Sequence, residues 1–90
     1  MASTGDPVRD HAIALVHEEL DRLRSAGPDA VRALVDGSPR DEERGDLTLT
    51  VRVHAEGERL MVLAEAWRGR RTLATGGFAM APDGSTHTPD

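Results

Sequence analysis

The stretch 46–54, DLTLTVRVH, followed by AEGE at 55–58 and RLMVLAEAW at 59–67, decides how this chain folds. In the first segment Leu47, Leu49, Val51 and Val53 alternate without error with Thr48, Thr50, Arg52 and His54. Successive strand side chains point to opposite faces, so this is a strand with one buried and one solvated face. Residues 55–58 form a turn, with Gly57 available for positive φ. A four-residue loop there pairs His54 with Arg59. It sets Val53 opposite Leu60, Val51 opposite Val62, Leu49 opposite Ala64 and Leu47 opposite Ala66, a continuous core face.

The second segment does not alternate. Its other face carries Met61, Leu63, Glu65 and Trp67, with Arg52, Thr50 and Thr48 beside them on the first strand. The back of the sheet is therefore half apolar. An apolar patch with a polar rim marks an interaction surface, and Trp, Met and Arg are enriched at such surfaces. The candidate interface residues are Arg52, His54, Met61, Leu63 and Trp67. The competing expectation is that the second helix or the tail of the same chain covers this patch.

Outward from this pair, a tight turn at Arg68-Gly69-Arg70 leads into a third strand from Arg71 to Met80. Gly76-Gly77 within it marks a bulge or a close backbone approach. Upstream, residues 40–45, RDEERG, are nearly all charged and read as a solvated loop. A first helix is expected from Pro7 to Ala26, with Asp6 as N-cap and Gly27-Pro28 as its end. Val8, Ala12, Leu15, Val16, Leu20 and Leu23 form its apolar stripe, with Asp10, Ala14, His17 and Asp21 opposite. A short second helix spans Pro28 to Asp36, with Ala30, Val31, Leu34 and Val35 on one face. The expected fold is α+β: two N-terminal helices, one long and one short, packed on a three-stranded antiparallel meander sheet. Residues 1–6 are expected to be a disordered N-terminus, 7–81 a single α+β domain and 82–90 a flexible C-terminal tail.

Composition narrows the function classes. The 90-residue chain is 38% hydrophobic and 30% charged, as folded proteins are. Its net charge of -5 argues against general nucleic-acid binding and against adhesion to anionic membranes. There is no cysteine, hence no disulfide or thiolate metal site. The longest apolar run, Ala12 to Val16, is far shorter than the roughly 20 residues a membrane span needs. No signal peptide is expected, and a cytoplasmic location is the default. All 11 basic residues are Arg, and Lys, Asn, Gln and Tyr are absent, which points to a GC-rich bacterial genome.

Candidate chemistry is sparse. His17-Glu18-Glu19-Leu20-Asp21 opens like a zinc-protease helix motif but has Asp21 where the second His is required. His11 and His17 are about 120° apart on the helix and do not share a metal. Glu19 falls inside the apolar stripe, either as a buried acid of raised pKa or as the partner of an Arg at the stripe edge. His54, Arg52, Thr50 and Glu65 form a polar rim. Trp67 is expected to stack on Arg71 across the tight turn. No phosphate-loop pattern is present, and no cofactor or metal ligand set is expected.

The expected function is a non-enzymatic interaction or accessory domain, self-associating through the sheet face or binding a protein partner. The alternative is a small-ligand-binding domain or enzyme with a pocket between helix one and the sheet, where Ala64, Ala66, Ala74 and Gly76 leave room and Glu19 is the one polar group.

Overall fold

The computed structural model describes residues 7–87. The segment 1–6, with the N-cap assigned to Asp6, and residues 88–90 of the expected tail lie outside the described residues. The elements are α1 (Pro7–Ala26), α2 (Pro28–Ala33), β1 (Arg40–Arg44), β2 (Leu47–Glu56), β3 (Arg59–Arg68), β4 (Arg71–Met80) and β5 (Thr86–His87). The strands form one antiparallel sheet in the order β1-β2-β3-β4-β5. Both helices pack on one face of it.

The long helix follows its pattern. Ala12, Leu15, Val16, Leu20 and Leu23 are buried, and Val8 packs against them half-buried. Asp10, Ala14, His17 and Asp21 are exposed. Gly27, at φ 90°, reverses the chain, and Pro28 opens α2, which ends three residues before Asp36. Of the face expected on α2, Val31 is buried, Leu34 and Val35 are half-buried and Ala30 is exposed.

The sheet has five strands where three were expected. Residues 40–44, expected to be a loop, form edge strand β1 and pair with β2 from Arg40↔Val51 to Arg44↔Leu47. Every β1 residue is exposed, so the segment has strand hydrogen bonding without strand-like hydrophobicity. Glu42 accepts a bond from Arg44 Nε at 2.8 Å, and this bond, then the Arg44 charge, holds its carboxyl below the usual range. At the other edge Thr86 and His87 pair with Met80 and Ala79.

The central hairpin is tighter than the four-residue loop first read. Glu56 pairs with Arg59 across a two-residue turn, so His54 faces Met61 rather than Arg59, and Val53 faces Val62. The register differs by two residues, which preserves every side chain's face. Leu47, Leu49, Val51, Val53, Leu60, Val62, Ala64 and Ala66 are all buried as expected. Gly57 and Gly69 supply the positive φ that a type II′ hairpin demands at its first central residue.

On β4 the two readings of the glycine pair separate. The bulge lies upstream of it: Ala66 pairs with Ala74 and Trp67 with Thr72, leaving Leu73 as the extra residue. Leu73 and Ala74 both pack against the core. The close approach is at the glycines themselves. A Cβ on Gly76 would lie 3.0 Å from Leu20 Cδ1 and 3.1 Å from Val16 Cγ1. A Cβ on Gly77 would meet the Val62 carbonyl oxygen at 2.5 Å.

These distances rank two substitutions. In Gly76→Ala the obstacles are side-chain methyl groups of Leu20 and Val16; in Gly77→Ala the obstacle is backbone and the approach closer. Gly77→Ala is expected to cost about 1–3 kcal/mol by overpacking and to lower the thermal midpoint by about 10 °C. Gly76→Ala should lose less, and equal midpoints in a thermal melt would contradict the ranking.

The turn into β5 is closed by backbone bonds from Gly84 N–H to the Ala81 carbonyl at 2.9 Å and from Ala81 N–H to the Ser85 carbonyl at 2.8 Å, and is braced by one carboxylate. Ser85 donates to Asp83 Oδ1 from its hydroxyl at 2.7 Å and its backbone N–H at 2.9 Å. These two bonds, the hydroxyl's first, push the Asp83 pKa below its ordinary 3.8. A depressed folded-state pKa gives stability that is present above the ordinary value and lost as pH falls through the depressed one. The protection of the Ser85 amide, its exchange relative to that of an unstructured amide at the same pH, should therefore fall on acidification below 3.8. In Asp83→Ala, which removes the acceptor, protection should already be low at neutral pH, and protection indifferent to both would exclude this clamp.

Candidate functional site

The sheet face opposite the helices carries all five candidate residues. In register, His54 faces Met61, Arg52 faces Leu63, Thr50 faces Glu65 and Thr48 faces Trp67. Neither helix of the described chain covers this face. Leu63 is 40% exposed, and Met61 is half-buried. These two, with Gly77 and the edge of His54, line an open, mainly apolar depression of about 370 Å³.

Trp67 belongs to a different environment. Its Nε1 donates to Thr50 Oγ1 at 2.7 Å, and Thr50 Oγ1 donates to Asp41 Oδ1 at 2.7 Å. The relay buries Thr50 to 4% exposure and laces β3, β2 and β1 together. The expected stacking of Trp67 on Arg71 is not formed; the cation–π contact among the described residues is Arg24 over Phe78, at 4.9 Å. Between the two environments Arg52 Nε reaches Glu65 Oε1 at 3.4 Å. The face thus has an apolar end at Met61 and Leu63 and a hydrogen-bonded end at Trp67, divided by an ion pair. Asp41 was missed as part of this surface because it lay in a segment read as loop.

Glu19 is both buried and paired. It is 4% exposed, and both its carboxylate oxygens accept from Arg22, one of them from Nε at 3.3 Å. Arg22 is 57% exposed, so its charged head stays in water while the acid lies under the stripe. The hydrogen bond to Glu19 is the main cause that raises the Arg22 pKa; burial opposes it, and the charges of Glu19 and Glu42 add to it. Glu19 is therefore engaged by its own helix. The small residues expected to leave room above the sheet face packed side chains: Val16 and Leu20 close over Gly76, and Ala64 and Ala66 are fully buried.

His11 and His17 are exposed on α1, and His54 Nε2 lies 3.7 Å from Glu56 Oε2. Among the described residues no three His, Asp or Glu side chains gather as a metal-holding group. No helix among them is long and apolar enough to cross a membrane. No protein-family model matches the chain, and no curated protein or solved structure matches it.

Glu19→Gln keeps the shape and removes the charge. Because Arg22 stays hydrated, the loss is expected to be about 1 kcal/mol, near the upper end for an exposed pair. A double-mutant cycle with Arg22→Gln in urea should return most of it as coupling. Stabilisation by Gln would mean that the ion pair does not hold in solution.

Proposed function

We propose that this chain is a small non-enzymatic interaction domain that self-associates through the open face of its sheet. The observation that carries this reading is Leu63, 40% exposed beside Met61 on a face that no helix of the described chain covers. Stacking two copies face to face about a two-fold axis would bring each Met61–Leu63 depression against its equivalent, an isologous contact. The Arg52–Glu65 pair and His54 then form a polar rim that is its own complement in charge. Size favours the same reading. For a chain this short, apolar burial and ordering entropy nearly cancel, so association adds stability that no disulfide supplies. An accessory or regulatory role is the use such a self-associating face would serve.

Multi-angle light scattering at micromolar concentration should return about twice the chain mass of 9.7 kDa. Leu63→Glu should return the single-chain mass with helix content unchanged. A wild-type monomer, or a Leu63→Glu variant that still dimerises, would sink the reading.

A further inference from the structure

A second surface lies away from the open face, at the edge of β4. We propose that this edge and the flank of α1 form a groove that takes an extended peptide with an acidic C-terminal end, added as an extra strand.

The first argument is hydrogen bonding. Strand β5 pairs with Ala79 and Met80, so among the described residues β4 has no strand on its outer side from Arg71 to Phe78. An unpaired edge presents alternate N–H and C=O groups, a template for another strand. The two edges of the sheet are treated differently. The outer edge β1 reads RDEER, charged at every position, and such charge discourages strand addition. Between Arg71 and Met80, β4 has no charge at all. The bulge at Leu73 interrupts the ladder near one end and leaves 74–78 regular.

The second argument is the wall of the groove. Arg9 and Ile13, one helical turn apart on α1, line an open depression of about 360 Å³ with Thr72, Leu73, Ala74 and Thr75. Ile13 is 40% exposed, a large apolar side chain beside that strand edge. Strand addition uses main-chain bonds for affinity and pockets for alternate side chains for selectivity, and Ile13 with Leu73 supplies an apolar pocket of that kind.

The third argument is charge. Arg9 and Arg71 line an adjoining depression of about 290 Å³ at the N-terminal end of β4. Among the described residues neither guanidinium makes a hydrogen bond or an ion pair. Two unpaired arginines in a chain of net charge -5 are a local site for carboxylates. Antiparallel pairing is the commoner geometry, and it brings the C-terminal end of an incoming strand to Arg71. The groove therefore fits a segment with alternating apolar residues that ends in acidic side chains and a free carboxylate.

The test uses the full chain, isotope-labelled, and the hexapeptide Val-Thr-Val-Thr-Asp-Glu with a free C-terminus. The control is Val-Thr-Val-Thr-Lys-Lys as its C-terminal amide. The acidic peptide should produce saturable amide shifts at Thr72 to Phe78 and around Ile13, with slowed amide exchange along β4. Arg9→Glu with Arg71→Glu should weaken binding about tenfold, the loss of two partly exposed ion pairs, without moving the thermal midpoint. Four results would each overturn the proposal: equal binding of the basic control, shifts confined to Met61 and Leu63, no shift at millimolar peptide, or the same β4 shifts on simple dilution of the peptide-free protein. The last would mean that a second copy occupies the edge. Light scattering on Leu63→Glu reads the open face separately, so either surface can fail alone.

Discussion

The contact of Val16 and Leu20 with the backbone of β4 at Gly76 governs the arrangement of everything else. A helix approaches a sheet this closely only where a side chain is missing. With no side chain on Gly76 to act as a spacer, α1 settles over β4 and β3, to one side of β2. The room left above β2 is taken by α2, whose Val31 is fully buried. Two helices of unequal length thereby cover one face, and the hydrophobic side chains of β2 and β3 have a single ceiling. The same seating brings the first two turns of α1 out beside the edge of β4, which is why Arg9 and Ile13 stand next to Thr72, Leu73, Ala74 and Thr75.

Much of this was legible because two periodicities were clean. The alternation at 47–54 and the stripe on α1 each identify a buried face without reference to any partner. The hairpin register was misread by two residues, and the faces survived because side-chain direction has period two. The strands that escaped notice lack that signal. Arg40 to Arg44 has no apolar residue at all, since an edge strand lying beyond the helices has no core to face. Its trace was the dipeptide Gly45-Asp46, the same glycine-first pattern as Gly57-Glu58 and Gly69-Arg70. Similarly, Pro82-Asp83-Gly84-Ser85 is a turn signal, and a turn after a strand brings the chain back beside it.

The candidate surface was legible in membership and not in organisation. Period two alone put Arg52, His54, Met61, Leu63 and Trp67 on one face. It did not show that Trp67 would be drawn toward β1, because the acceptor chain through Thr50 ends on Asp41, in a strand that was not visible. Glu19 was identified as an exception to its helix face. Its partner, three residues on, followed helical geometry rather than any pattern of apolar residues.

The relay from the indole through Thr50 to Asp41 gives the molecule a property independent of what it binds. Trp67 is the only tryptophan in the chain. Its ring nitrogen is tied to a threonine that is tied in turn to the outermost strand. Detachment of β1 would free the hydroxyl, wet the indole and alter its emission. The protein thus carries an intrinsic optical reporter of its β1 edge, readable without a label while the helices and the central hairpin remain intact.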